Sequence, residues 1–352
     1  MKARKTVFMA MSGGVDSSVA AGLLIKQGFD VVGCHMKCYN VDGCAEQDAE
    51  DARRVAEQLG IPFYAFDLEQ QYKERVVDYM VQGYRAGITP NPDVMCNKEI
   101  KFGLFLKRAL ELGADYIATG HYVSIKKIAG AHALYAAKDK NKDQSYFLWT
   151  LTQKELAHCL FPLGNLTKPE VRAIAKKNGL ITAAKKDSQG ICFLGKVPAA
   201  EFLKTYIPAR TGAIINGAGK QLGTHDGAAF YTVGQRHGLK IGGHKEPLYV
   251  TGKDVIENTV TVAEGEHNPE LYRREATLGK INIIATKDYT KPQAVWARIR
   301  YRQPLFAASL QKLKTGDYKL VFKRPQKAVA IGQSAVFYTE KGEMLGGGVI
   351  LE

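Results

Sequence analysis

Several familiar signatures are missing from this 352-residue chain. No Cys-x-x-Cys pair occurs among its six cysteines, Cys34, Cys38, Cys44, Cys96, Cys159 and Cys192. That removes the usual redox dithiol, and Cys34, Cys38 and Cys44 are spaced like no frequent zinc pattern. We read those three as incidental or buried thiols. No glycine-rich loop ends in Gly-Lys-Ser/Thr, which excludes the Walker A nucleotide site. No apolar run approaches the roughly 20 residues that a membrane-spanning helix needs. Acidic side chains are comparatively few, 35 against 49 Lys and Arg, for a formal charge of +14. The residues from 271 to 352 hold 15 Lys and Arg against 6 Asp and Glu, so most of the excess lies there. Such an imbalance predicts a polyanionic partner, because clustered cations release counterions on binding nucleic acid. A merely basic surface is the alternative, and charge alone leaves it open. The start, MKARKTVFMAMSGG, runs straight into a functional loop, so a soluble, cytoplasmic protein without structural disulfides is expected.

What is present begins at that loop. Lys5 to Met11 is a short apolar run with β-branched residues, the pattern of a buried strand. Val19 to Lys26 reads as a helix stopped by Gly28. Between them stands Met11-Ser-Gly-Gly-Val-Asp-Ser-Ser18. Gly13 and Gly14 permit close approach, Ser12, Ser17 and Ser18 add hydroxyl donors, and a helix start favours an anion. The spacing does not fit the GxGxxG of dinucleotide folds. The strand–SGGxDS–helix string resembles the PP-loop of the ATP pyrophosphatase superfamily, whose members split ATP into AMP and pyrophosphate. In that reading the Asp16 carboxylate holds Mg²⁺ near the phosphates. An ordinary strand-to-helix turn is the plain alternative.

Further along, strands at Phe29–Met36, Ile61–Leu68 and up to His121 alternate with helices at Glu46–Leu59, Tyr72–Tyr84 and Asn97–Gly113. That alternation predicts a parallel α/β sheet. Ligands of such sheets bind beyond the carboxyl ends of the strands, where the 11–18 loop, Met36 and Gly120 fall. Pro90 and Pro92 flank Asn91, which predicts a stiff, extended loop over 87–97 presenting Asp93 and Cys96. A plain turn ending in a buried cysteine is the alternative. A hairpin-like stretch runs to Lys138, and Leu166–Gly179 reads as a helix capped by Thr167. Cys192 follows a polar, glycine-containing stretch with Lys185 and Lys186, where a thiolate could be stabilised. A core cysteine between Ile191 and Phe193 fits that stretch equally well.

The length predicts two or three domains. From about Phe202 the pattern turns to short, glycine-punctuated strands, with Thr211 to Gly265 a small, mainly β unit. His225 and His237 read there as polar turn residues. Alternating segments at Val295–Tyr301 and Ala335–Tyr338 predict a basic β-barrel at the end. The divisions expected are 1–202 for the α/β nucleotide-binding domain, 203–270 for the central β-rich domain and 271–352 for the barrel.

SGGVDSS, NPDVMCNKEIKF, ATGHY, KDQSYFL, KKDSQGICF, TVGQRHGL, IRYRQP and GGGVI stand in this order. Together they closely resemble the tRNA-specific 2-thiouridylases (the MnmA family) over essentially the whole chain. One departure is Met36-Lys37-Cys38-Tyr39, where relatives commonly carry Met-Lys-Asn-Trp. The resemblance implies ATP- and Mg²⁺-dependent replacement of the C2 oxygen of a wobble uridine by sulfur. By the same resemblance Cys192 carries a persulfide, Cys96 is the second cysteine and Asp93 the acid/base group. ATP is assigned to Ala10, Met11, Ser12, Gly13, Gly14, Val15, Asp16, Ser17, Met36 and Gly120. The target uridine is assigned to Asn91, Pro92 and Asp93. Lys142, Asp143, Gln144, Arg300 and Tyr301 are assigned to the tRNA. No protein-held metal site is expected, and the implied sulfur donor is a cysteine desulfurase or a sulfur-relay protein.

The chemistry of the residues points the same way. A carbonyl oxygen is a poor leaving group, and adenylation makes it a good one. A persulfide carries a transferable terminal sulfur that a plain thiol lacks, and a second thiol can attack its S–S bond. A wobble base must be splayed out of its stack to be reached, as single-stranded loops allow. Three other readings remain. A ligase of the amidotransferase or argininosuccinate-synthase kind leaves the loop cysteines and the basic tail unexplained. A non-catalytic RNA-binding module leaves the intact SGGVDSS loop unexplained. An iron–sulfur site on Cys96 and Cys192 lacks the usual Cys-x-x-Cys spacing.

Overall fold

The computed structural model describes residues 4–39, 41, 43–186, 193–195, 197–285 and 288–352, with the backbone alone for Cys44. Thr6–Ala10 is the central strand of a five-stranded sheet. Asp30–Lys37 and then Phe63–Asp67 lie on one side of it, Tyr116–Ala118 and Cys159–Leu160 on the other. Every pairing is parallel. Alternate residues of the central strand enter opposite cores: Val7, Met9 and Met11 join one apolar cluster, Phe8 and Ala10 the other. Both faces are covered, which is why the run reads as continuously apolar rather than alternating. The α/β expectation holds.

Helix limits differ from the periodicity in ways that matter for the site. The first helix is Val15–Lys26, so it begins directly at Gly14 and includes Asp16 and Ser17 in its first turn. The stretch expected as a helix at 72–84 runs over Glu69–Arg85 through a π-helical segment, Lys73–Val77. The 87–97 stretch is extended only to Asn91. Pro92–Met95 is already helical and continues through a π-helical Cys96–Phe105 into Leu106–Glu111. A proline at the first helical position loses no hydrogen bond and arrives with its φ preset, so Pro92 starts this helix instead of forbidding it. Local π-helix often accompanies function.

Beyond the hairpin Val123–Ile128/Ala131–Ala136 and the helix Lys168–Lys177, a four-stranded sheet follows. Its order is Leu248–Asp254, Thr259–Glu264, Gly212–Asn216, Gln221–His225. The chain ends in a closed six-stranded barrel of Tyr272–Ile283, Tyr318–Lys327, Phe306–Lys312, Gln293–Arg298, Ser334–Tyr338 and Met344–Ile350. The strand expected to reach Tyr301 stops at Arg298, and Arg300 and Tyr301 lie in the turn after it. Gln303 closes that turn, its side chain accepting from Ile299 N at 3.0 Å. Barrel and α/β domain share one core, in which Val336, Tyr338 and Met344 pack with Phe8, Trp149 and Leu151. Among the described residues no helix is long and apolar enough to cross a membrane.

Candidate active site

The glycine loop is held by short polar contacts. Ser17 Oγ accepts from Ser12 N at 3.2 Å and donates to Gly14 O at 3.1 Å, while Ser18 Oγ donates to the same carbonyl at 2.8 Å. Gly13 has φ +70°, and a Cβ there would lie 2.2 Å from the Asp48 carbonyl oxygen. Gly120, two residues beyond the neighbouring strand Tyr116–Ala118, comes so close that a Cβ would lie 2.9 Å from Ser17 N. The two strand ends therefore converge on the start of helix Val15–Lys26, and any side chain at Gly120 would obstruct that approach. Behind the loop, buried His35 bonds Met11 O through Nδ1 at 3.0 Å, and burial lowers its pKa. Met36 packs partly buried between two apolar clusters. Hydroxyls, a helix start and a tight glycine cradle fit the phosphates of a nucleotide.

Asp16 is engaged by residues the motif does not mention. Lys168 Nζ stands 2.7 and 2.8 Å from its two oxygens, and the Tyr122 hydroxyl donates to Oδ1 at 2.7 Å. The Lys168 side chain is 11% exposed and that of Asp16 32%. Lys168 is the first residue of its helix, whose preceding Thr167 donates both its N–H and its hydroxyl to Glu170. Two helix N-termini thus meet at one carboxylate. The hard oxygens of Asp16 suit Mg²⁺.

On the other side, the Asn91 side chain accepts from Val94 N at 3.2 Å and caps the helix begun by Pro92. The barrel grips this entry: Gln333 Nε2 donates to Thr89 O at 3.1 Å and Pro90 O at 3.2 Å, and Thr89 N donates to Ile331 O. Asn97 Nδ2 donates back to Asp93 O, while its buried Oδ1 has no hydrogen-bond partner among the described residues. Cys96 is buried, 5% exposed, rather than presented on a loop. It belongs to an apolar cluster with Tyr72, Met80, Ile100, Phe193 and Phe202. Cys38 and Tyr39, where the chain departs from its relatives, pack against that cluster. Cys192 lies outside the described residues, but its sequence neighbour Phe193 is in the cluster that contains Cys96. Burial pushes the Cys34 thiol up to about 12 and raises that of Cys159 further, so neither is a ready nucleophile. Among the described residues no group of three or more His, Cys, Asp or Glu could hold a metal ion.

The residues expected at the tRNA lie around the contact between segment 142–147 and the barrel turn 298–301, and they differ in exposure. Asp143 is almost fully buried, bound to Arg298 at 3.1 Å and accepting from Ala137 N and Ser145 N. Gln144 Oε1 accepts from Tyr122 N at 3.0 Å, and Lys142 is partly exposed. Arg300 donates to Val233 O at 2.6 Å, and Tyr301 stacks at 4.5 Å on Phe147. Sequence reading missed Lys168 and Tyr122. Their only signal is the Thr167–Glu170 helix start and the ATGHY stretch, neither of which names Asp16 as a target.

Three family models match in succession. They are described as a tRNA methyl transferase HUP domain over residues 5–196, a tRNA methyl transferase PRC-barrel domain over 200–264 and an aminomethyltransferase beta-barrel domain over 273–350. The chain is 48% identical over 349 residues to the tRNA-specific 2-thiouridylase MnmA of Halalkalibacterium halodurans, covering 98% of this chain and 94% of that protein. It is also 48% identical over 351 residues to MnmA 2 of Geobacillus kaustophilus, with the same coverage. Among solved structures, a 4-thiouridine synthetase–RNA complex with bound ATP shares 20% identity at a TM-score of 0.35, over 58% of this chain and 50% of that one. The full-length identity settles the relationship: the chain belongs to the tRNA-specific 2-thiouridylases, a family of sulfurtransferases.

Proposed function

We propose that this protein installs 2-thiouridine at the wobble position of tRNA, using ATP and Mg²⁺. The chemistry and the nucleotide lie in residues 1–202, with the barrel, 271–352, and the central unit, 203–270, behind the tRNA. The loop from Ala10 to Ser17, with Met36 and Gly120, takes ATP, and Asp16 takes Mg²⁺. Asn91, Pro92 and Asp93 receive the flipped uridine, Asp93 as acid/base. Lys142, Gln144, Arg300 and Tyr301 border the RNA, and Asp143 acts by holding its own segment in place. The C2 oxygen, joined to AMP, becomes the leaving group. Sulfur comes from a persulfide on Cys192, loaded by a cysteine desulfurase or a relay protein. Either its terminal sulfur attacks C2 and expels AMP, after which Cys96 attacks the Cys192 sulfur and releases the thiolated base, or Cys96 attacks the S–S bond first and frees hydrosulfide that displaces AMP from C2. Both routes leave a Cys96–Cys192 disulfide, which an external thiol must reduce.

The observation that carries this reading is that Cys96, one turn after Asp93, shares its apolar cluster with Phe193, next in sequence to Cys192. Two of the matched family descriptions speak of methyl transfer, but a glycine cradle built for phosphates and a helix-borne thiol suit ATP-driven sulfur transfer better. The test is nucleoside mass spectrometry of unmodified tRNA after reaction with ATP and a sulfur source. Wild-type protein yields 2-thiouridine. Cys96→Ala and Cys192→Ala each abolish it and largely retain tRNA binding. Full activity in either variant would refute the thiol assignment.

A further inference from the structure

The ion pair at the mouth of the glycine cradle has a use beyond neutralising Asp16. Lys168 Nζ contacts both Asp16 oxygens, at 2.7 and 2.8 Å, so it occupies the side of the carboxylate where an incoming Mg²⁺ would coordinate. A buried ammonium and a divalent cation cannot share that position, since like charges a few ångströms apart repel strongly in a low-dielectric site. The lysine must therefore move when the metal arrives. Lys168 starts its helix, its backbone N–H is held by Asp139, and the Tyr122 ring lies 6.0 Å from Nζ. The new anions in reach are the phosphates bound at the start of helix Val15–Lys26, which touches the start of the lysine's own helix at this pair.

We propose that Lys168 is a phosphate-binding residue of the nucleotide site, held on Asp16 until a cation and the β- and γ-phosphates enter together. Asp16 then exchanges the ammonium for the cation, and Lys168 turns on its four-carbon stem to the phosphate oxygens. No bond forms or breaks, and the carboxylate is never left without a counter-charge. This rests on the nucleotide reading above.

The exchange is tested by calorimetric titration of the full chain with α,β-methylene-ATP, pyrophosphate, AMP and Mg²⁺ alone. Lys168→Met should weaken the first two about 10- to 100-fold, the range for a lost charge-assisted bond, and leave AMP nearly unchanged. Lys168→Arg should recover most of the loss. Mg²⁺ without phosphates should bind Lys168→Met at least about tenfold more tightly than wild type, because Asp16 is no longer occupied. That gain shows that lysine and cation compete for Asp16, and the loss for pyrophosphate but not AMP is what a merely structural pair would not produce. Equal losses for AMP and pyrophosphate, or no loss at all, overturn the proposal. A wild-type chain that binds none of the nucleotides overturns the nucleotide reading itself. If Lys168→Met melts too early to titrate, Asp16→Asn decides: an affinity for Mg²⁺-free pyrophosphate unchanged from wild type refutes exchange.

Discussion

Asp143 and Asp16 each hold a basic side chain from more than a hundred residues away, and the two pairs are built for opposite ends. Asp143 and Arg298 join the α/β domain to the barrel with side chains only 1% and 8% exposed. Asp143 also accepts from Ala137 N, Ser145 N and Ser145 Oγ, and Arg298 lies 5.1 Å from the Tyr338 ring. Asp16 and Lys168 meet at the rim of the glycine cradle, and the carboxylate keeps 32% exposure. The first pair has nowhere to go, and the second can release its cation to a ligand. Burial, and not the ion pair as such, separates a clasp from a working site.

Breaking the sealed pair should give the largest effect. Asp143→Ala strands the Arg298 guanidinium and two backbone N–H groups, and should cost about 3–5 kcal/mol of stability in denaturant unfolding. Asp143→Ala combined with Arg298→Met should recover part of that, because no buried charge then lacks a partner. If Asp143→Ala instead unfolds like wild type and loses tRNA affinity alone, Asp143 is an RNA contact and the clasp is refuted.

The contrast also marks what could be read from the residues alone. The strand–loop–helix unit was legible because its information is local: a short continuous apolar run, two glycines among serines, and a helical stretch behind them. The barrel's alternating strands were legible for the same reason. Lys168 was not, since helix Lys168–Lys177 announces its caps but not the residue 152 positions away that its first side chain meets. Cys96 was misplaced onto a loop because Pro90 and Pro92 were read only as helix breakers. Asn91-Pro92 is also a cap followed by a first-turn proline, and that reading puts Cys96 on a helix with one face in the core. Asp143 was assigned to the tRNA with Lys142 and Gln144 by resemblance, and its pairing with Arg298 of the barrel, at the other end of the chain, is not written in its local sequence.

A third buried charge sharpens the comparison by lacking a carboxylate among its hydrogen-bond partners. Lys253 Nζ donates to Tyr231 O at 2.7 Å and to Ala229 O at 3.4 Å, and burial lowers its pKa to about 8. The unfolded amine titrates near 10.4. Below pH 8 both states carry the proton, and the folded state bears the full desolvation cost. Between about 8 and 10.4 the unfolded chain binds more protons, so stability rises with pH. Lys253→Met should therefore stabilise the protein by roughly 1–3 kcal/mol at pH 7. That advantage should shrink to nothing by about pH 10.5, followed by thermal unfolding across the pH range. A constant difference would show that the carbonyl bonds, and not the buried charge, set the balance.

The smallest effect on stability, and the most telling one on binding, is expected at Asp16. In Asp16→Asn the isosteric amide keeps the Tyr122 hydroxyl as a donor to its oxygen, and Lys168 can reach solvent at the cradle mouth. The cost should be about 1 kcal/mol, as for a partly exposed ion pair, well below that of Asp143→Ala. Binding changes in kind. With the carboxylate gone, Lys168 is released to the phosphates without needing a metal to displace it. Pyrophosphate measured in the absence of Mg²⁺ should then bind the variant more tightly than wild type, and adding Mg²⁺ should improve that binding far less than it does in wild type. If Asp16→Asn instead binds pyrophosphate poorly with and without Mg²⁺, the carboxylate itself organises the cradle. The rim pair would then be a clasp of the same kind as Asp143 and Arg298, differing only in depth.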